Sequence, residues 1–420
     1  MTREKIKFPK RQIARLKKIK IKNFKAFKEA EIEFKPLTVL LGANASGKST
    51  ILQSLLLLKQ SWESPDPQST LVWDGRHIEL PSFDEILNKT SKDKKLSFEL
   101  NLISEQNELG ICFSIRQIRG IGIAVDRTTF YLLKNDEKIN ISKNTFNQHF
   151  RPDRFLFQPV IPDIKTGKGK LAKFARILEE VKKGIDEIFR QIFHIYPLRK
   201  PIKRFVYYSG ETLSFPGREG ERLLEFLKAN EDVYRKLKDW SEQNLCKKFE
   251  LKTKGGQLFL EIDGINAADT GFGFSQLLPI LATLYGVPEG SIILLEQPEI
   301  HLNPALVVKL ADFCCDIAKE EKKILLIETH SDHFIWRIRR RIAEDTEEKL
   351  WKNTAIYFTE RNPKEVFSTI KPVKITKFGE IEDPPWPKDF LAPDVTDAFK
   401  MLEGKLQRLK IQGVTDGISN

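Results

Sequence analysis

Leu40-Leu41-Gly42-Ala43-Asn44-Ala45-Ser46-Gly47-Lys48-Ser49-Thr50 fits G-x-x-x-x-G-K-[ST] at every position. In such a loop backbone N–H groups face the α/β-phosphates, the lysine reaches the β/γ-phosphates and the Ser/Thr hydroxyl is offered to Mg²⁺. The helix that follows adds its positive end. A glycine turn before a helix can match this pattern by chance, but the flanks argue otherwise. Leu37, Val39, Leu40 and Leu41 read as a buried strand, and Ile51, Leu52, Leu55, Leu56 and Leu58 as the core face of a helix. Asn44, Ala45, Ser46, Gly47, Lys48, Ser49 and Thr50 are therefore the expected binding residues for a nucleoside triphosphate, with Ser49 on the metal.

The chain has 420 residues, enough for two or three domains or one enlarged domain with an insertion. No apolar run reaches the ~18 residues of a membrane span, and the charged N-terminus lacks the apolar core of a leader, so a soluble, cytoplasmic protein is expected. Cys112, Cys246, Cys314 and Cys315 show neither C-x-x-C nor Cys/His spacing and read as free buried thiols. The net charge is +12, and residues 1–28 hold twelve Lys/Arg against Glu4 alone. That segment could bind nucleic-acid phosphate, an acidic protein or headgroups, or be a solvated tail whose second half forms a strand with lysines outward.

Leu16–Phe24 and Ala30–Phe34 alternate like two antiparallel strands around Lys25-Ala26-Phe27-Lys28. Residues 96–133 hold three further β-like runs in a meander. Leu171, Phe174, Leu178, Val181, Ile185, Ile188 and Ile192 then recur at intervals of three and four, a seam that packs within its own chain or pairs with another subunit. A second helical stretch runs over residues 219–245. The expected organisation is a basic arm (1–15), the first part of a nucleotide lobe (16–165), a mainly helical insertion (166–250), the second part of the lobe (251–360) and a tail (361–420).

Ser291–Glu299 is a hydrophobic strand ending in carboxylates, the place where a phosphate-loop ATPase holds Mg²⁺, so Glu296 is the expected metal-shell acid. Ile324–Ser331 repeats the design and delivers His330, which can bridge a γ-phosphate and an attacking water. Between them, the glycines and Ser275 of Asp269-Thr270-Gly271-Phe272-Gly273-Phe274-Ser275-Gln276 meet a helix N-terminus, an anion-binding arrangement. His77, His149 and His194 stand alone and read as ordinary core or surface histidines. Gln53 and Gln60 read as helix-surface residues. Arg337-Ile338-Arg339-Arg340-Arg341 is a second basic strip that touches DNA or is a solvated helix face.

Phosphate loop, Gly/Ser-headed helix, strand with Glu and strand with His, in that order, resemble the ABC-type ATPase heads related to structural-maintenance-of-chromosomes and OLD-family proteins. Lys22-Asn23-Phe24-Lys25-Ala26-Phe27, Tyr196-Pro197-Leu198-Arg199, Glu296-Gln297-Pro298-Glu299-Ile300-His301-Leu302-Asn303-Pro304 and Glu382-Asp383-Pro384-Pro385-Trp386-Pro387 are similar in particular to bacterial AAA-family ATPases with Glu-Gln-Pro-Glu and Glu-Thr-His-Ser motifs. The resemblance implies an α/β fold, an ABC-type head with a mixed central sheet, flanking helices and an N-terminal antiparallel β subdomain, carrying a helical insertion. It implies ATP and Mg²⁺ as cofactors and a homodimer or higher homo-oligomer with ATP sandwiched between subunits, Gly273 and Ser275 acting in trans.

Two departures shape the expected function. Gln297 stands where such heads carry the glutamate that polarises water; an amide cannot accept a proton, so Glu299 or His330 supplies the base, or turnover is slow. The resemblance also leads to expecting a Toprim nuclease domain, yet only about 80 residues follow the His330 strand, too few for such a domain beside the lobe's last strands. The leading expectation is a slow ATPase switch sensed by nucleic acid, through the basic arm, or by a separate effector such as a nuclease or toxin, in DNA maintenance or anti-phage defence. The alternative is a non-hydrolysing, ATP-stabilised scaffold.

Overall fold

The computed structural model describes residues 14–66, 69–92, 94–104, 107–118, 122–132, 137–142, 150–153, 156–159, 170–361, 366–383 and 401. Residues 1–13 of the basic arm, His149, and Trp386 and its neighbours in the tail lie outside them.

The chain opens with the antiparallel hairpin β1 (Arg15–Phe24) and β2 (Phe27–Glu33), followed by β3 (Leu37–Gly42) and the long helix α1 (Lys48–Trp62). A short helix α2 (Phe83–Ile86) leads into the meander β4 (Lys95–Ser104), β5 (Asn107–Ile118), β6 (Gly122–Leu132) and β7 (Glu137–Ser142). The small hairpin β8 (Phe150–Asp153) and β9 (Leu156–Pro159) precedes α3 (Lys170–Arg190), β10 (Ile192–Ile195) and β11 (Val206–Tyr207). Helices α4 (Leu223–Ala229) and α5 (Glu231–Leu245) come next, with strands β12 (Phe249–Lys254), β13 (Gln257–Ile262) and β14 (Ile265–Asn266). The last third alternates: α6 (Phe272–Gly286), β15 (Ile292–Glu296), α7 (Pro304–Lys319), β16 (Ile324–Glu328), α8 (Asp332–Glu344) and α9 (Lys349–Lys352). Strands β17 (Thr354–Arg361), β18 (Ser368–Ile375) and β19 (Ile381–Glu382) follow.

Thirteen of these strands form one mixed sheet, in the order β10-β15-β16-β3-β17-β18-β2-β1-β4-β5-β6-β7 with β19 on β18. From β10 to β17 neighbouring strands are parallel; from β2 to β7 they are antiparallel. The halves meet through one registered pair, Ser368 with Phe27. Both faces of the parallel half are covered, which is why β3, β15 and β16 read as near-continuous apolar runs. Leu40, Leu294 and Leu326 face the core under α1 and α3, while Val39, Leu295 and Ile327 face the one under α6, α7 and α8.

The second half of the α3 seam packs inside its own chain: Val181, Ile185 and Ile188 are buried, Phe189 lies against Trp62, and the Trp62 indole donates to Asp186, while the side chains of Leu171, Phe174 and Leu178 lie outside the description. Ile192, expected to continue that helical seam, instead starts β10. The stretch 166–250 thus returns an edge strand to the main sheet between its helices, and the start of 361–420 supplies β18.

The outward lysines of β1 are not a free basic surface. Lys18 and Lys20 pair with Glu31 and Glu29 across the hairpin, Lys22 with Glu29, and Lys17 with Glu108. The strip on α8 is matched likewise: Arg337 and Arg341 hold Asp312, and Arg340 holds Glu344. Of the four thiols only Cys314 and Cys315 are buried; Cys112 is half-buried and Cys246 exposed, against the expectation for them. No helix among the described residues is long and apolar enough to cross a membrane.

Candidate nucleotide site

The parallel strands point their C-terminal ends at one edge, where crevices form in open α/β sheets. Gly42 ends β3, Glu328 ends β16 and Glu296 ends β15, with Glu296 and Glu328 in register. A pocket of about 480 Å³ opens there, lined by Lys25, Asn44, Ala45, Gly47, Lys48, Ser49, Gln53, Gln297, Glu328 and His330 among others.

The loop is held by its backbone. Gly47 sits at φ 105°, and a Cβ there would lie 2.9 Å from the Phe27 ring, so only glycine fits. Gly42 is equally constrained, since a Cβ would meet the Thr359 carbonyl at 2.2 Å. Ser46 is buried and its hydroxyl bonds that of Thr359 at 2.6 Å, tying the loop to β17. Asn44 and Ala45 are exposed, Ser49 half-buried and Thr50 buried. Lys48 is buried, and its ammonium donates to the Gly42 and Ala43 carbonyls at 3.0 and 2.8 Å. Burial draws its pKa down, against the opposing pull of Glu328 and Glu299.

Two carboxylates act on this cation. Glu328, 4% exposed, accepts from the Ser49 hydroxyl at 3.0 Å through Oε1. Burial pushes its pKa up to about 7; the Ser49 bond opposes this, Glu296 adds to it, Lys48 opposes it and Glu299 adds to it. Glu299 accepts the His330 N–H at 2.8 Å. The Oε2 atoms of Glu328 and Glu299 are both buried without a hydrogen-bond partner, a costly state that a cation relieves. Gln297 adopts φ 43° and donates its N–H to the Glu328 carbonyl; a non-glycine residue held there stores strain characteristic of functional turns. His330 has its pKa lowered by burial and then by Lys48, which favours the neutral ring.

Glu296 stands apart. Its Oε1 bonds His194 Nε2 at 2.8 Å, and it lines a neighbouring cleft of about 330 Å³ with His77, Tyr196 and His194. His194 and His77, read from sequence as unpartnered, are thus each engaged by a carboxylate, His77 by Glu63. Gln53, expected on the helix surface, lines both cavities and accepts from Lys25. Gln60 is buried too, accepting the His77 and Ile78 N–H groups.

Gly273 and Ser275 lie on α6, and neither lines this pocket. Ser275 is 3% exposed and its hydroxyl accepts the Ile202 N–H, which turns it into the fold. Gly273 is half-buried near Leu306 and the His301 carbonyl. Asn303 caps α7 through the Leu306 N–H, with Pro304 in the first turn, as its sequence position suggests. Sequence reasoning placed Arg199 in a family motif but gave it no role. This buried guanidinium donates to the carbonyls of Gln276 on α6, Tyr196, Pro197, and Pro298 beside Gln297. Burial lowers its pKa to about 10, with Glu299 opposing.

The AAA ATPase domain model matches residues 15–255 and 170–335, most of the chain and all of this site. The chain belongs to the AAA ATPase domain family. This AAA ATPase domain is 22% identical over 338 residues to the OLD nuclease of Thermus scotoductus, covering 76% of this chain and 59% of that protein. It is 30% identical over 79 residues to the DNA replication and repair protein RecF of Lactococcus lactis, covering 18% of this chain and 22% of that one. The chain therefore spans less than two thirds of these curated relatives. Among solved structures, it is similar to the SMC head bound to the C-winged helix domain of ScpA, with TM-score 0.47 and 14% identity over 85% of this chain and 98% of that one.

Proposed function

We propose that this AAA ATPase holds Mg²⁺-ATP on the 42–50 loop and hydrolyses it slowly, as a switch in which two copies close around ATP. The observation that carries the reading is the convergence of Lys48 and Ser49 of the loop with Glu328 and His330 on one pocket, with Glu299 bonded to the His330 N–H. Lys48 exchanges its two loop carbonyls for phosphate oxygens, and the α1 N-terminus adds its N–H groups. Ser49 and a strand-end carboxylate, Glu296 by its motif position or Glu328 by its bond to Ser49, would hold Mg²⁺, which when bound neutralises phosphate charge. Glu299, with one buried oxygen unpartnered, accepts the proton of the attacking water. The Gln297 amide orients that water, and neutral His330 donates to or accepts from the γ-phosphate side.

In the closed pair, the N-terminus of α6 with Gly273 approaches the partner's ATP, while Ser275 supports it from inside. The signal passes to a separate effector protein, a nuclease or toxin, or to nucleic acid contacted by the arm at residues 1–15. Likeness to an OLD nuclease and to the DNA replication and repair protein RecF supports a setting in DNA maintenance; anti-phage defence is the other setting in this reading. Gln297 favours one alternative, a scaffold in which ATP stays intact.

Phosphate release by the purified protein, with and without duplex DNA, separates these readings beside Lys48→Ala. Turnover lost in the variant is expected for the switch. ATP binding without any turnover, with and without DNA, would refute the hydrolytic reading in favour of the scaffold.

A further inference from the structure

We infer that Glu328 on β16, and not Glu296 on the motif strand β15, is the carboxylate facing the divalent cation, and that His194 holds Glu296 away from it. The inference rests on the reading of this pocket as a Mg²⁺-nucleotide site, and sharpens it against the expectation from sequence.

Sheet order gives the first reason. β16 lies between β15 and the loop strand β3, and neighbouring strands are ~4.8 Å apart. Glu328 therefore starts one spacing from the strand that carries the loop, and Glu296, in register beside it, starts two. Side-chain commitments give the second. Glu328 already touches the Ser49 hydroxyl, lines the pocket, and keeps Oε2 buried with no hydrogen bond, so an electron pair is left for a cation. Glu296 lines the other cleft instead, its oxygen on His194.

His194 is itself fixed. It is 4% exposed on the edge strand β10, which runs in register with β15. Its ring meets Tyr196 edge-on at 4.7 Å, and the Tyr196 hydroxyl is held by Arg218 and the His77 carbonyl. With Nδ1 buried and unpartnered, Nε2–H is the donor that the Glu296 carboxylate accepts. Releasing Glu296 towards Ser49 would leave that donor buried and unpaired.

Mn²⁺ binding to the full chain, read by the electron paramagnetic resonance of free Mn²⁺ in the presence of ADP, tests this. Glu328→Gln is expected to weaken Mn²⁺ about tenfold or more, and Glu296→Gln to leave it within about threefold. A loss in Glu296→Gln equal to or larger than that in Glu328→Gln overturns the assignment. In the Glu328→Gln background, adding His194→Phe frees Glu296 and is expected to restore part of the affinity; no recovery in a variant with wild-type melting overturns the role given to His194. Fluorescent ADP binding in EDTA runs in parallel. Loss there in Lys48→Ala but not in either glutamate variant confirms fold and pocket, whereas no ADP binding by the wild type removes the site reading itself, and this inference with it.

Discussion

Replacing Glu328 by Gln should stabilise the metal-free protein at alkaline pH. The carboxyl is buried, with its pKa raised from the ordinary 4.5 to about 7, so the folded state prefers the protonated form. For an acid raised on folding, the stability is fully present below 4.5, falls as pH rises between 4.5 and 7, and the loss is complete above 7. At ~1.4 kcal/mol per pH unit, charging Glu328 in place costs about 3 kcal/mol. The glutamine keeps an oxygen for the Ser49 hydroxyl and carries no charge, so it avoids the cost. With an unfolding entropy of ~2.1 cal/mol/K per residue, a 420-residue chain has about 0.9 kcal/mol/K, and the gain is about 3 °C in Tm. Thermal melts in EDTA without nucleotide, at pH 5 and pH 8, check this. The variant should match wild type at pH 5 and exceed it at pH 8. Equal melting at pH 8, or a variant with the wild-type pH dependence, would refute the view that Glu328 is a buried carboxylate awaiting a counter-charge.

Arg199→Met should cost ~3–5 kcal/mol, because it strands the carbonyls of Tyr196, Pro197, Gln276 and Pro298 that the guanidinium now satisfies; a urea midpoint unchanged from wild type would contradict this. Gly47→Ala should abolish nucleotide binding and cost ~1–3 kcal/mol, since φ 105° and the Phe27 ring both oppose a Cβ; fluorescent-nucleotide titration and melting report the two effects separately. Lys20→Ala should leave any duplex-DNA affinity and its salt slope unchanged, because Glu29 and Glu31 already neutralise that lysine; a slope smaller by about one would show that it reaches phosphate.

The loop, its strand and its helix were legible because each is local. Gly42 and Gly47 take φ 148° and 105° within the loop's own turn, which glycine favours before any contact with Thr359 or Phe27 is counted, and β3, β15 and β16 announce themselves as strands buried on both faces. The hairpin at residues 15–33 and the meander at 95–132 showed the alternation of sheets with one covered face. Ile192 misled because four residues of strand directly after a helix continue its spacing by accident. The lysines of β1 lie on the outward side of a strand, as one reading had it, but their neutralising glutamates lie across a hairpin, and a charge count along the chain cannot pair them.

The choice between Glu296 and Glu328 was illegible for a deeper reason. Both end apolar strands of five residues, so local pattern gives them equal standing, and the motif resemblance favours the first. What separates them is the strand order, which places β16 beside β3, and a histidine 102 positions away in sequence that occupies the first carboxylate. A side chain's chemistry at such an edge depends on which neighbour reaches it first. His194, unremarkable beside its sequence neighbours, thereby leaves Glu328 as the acid nearest Ser49, and any substitution that released Glu296 would place two carboxylates in competition for one cation.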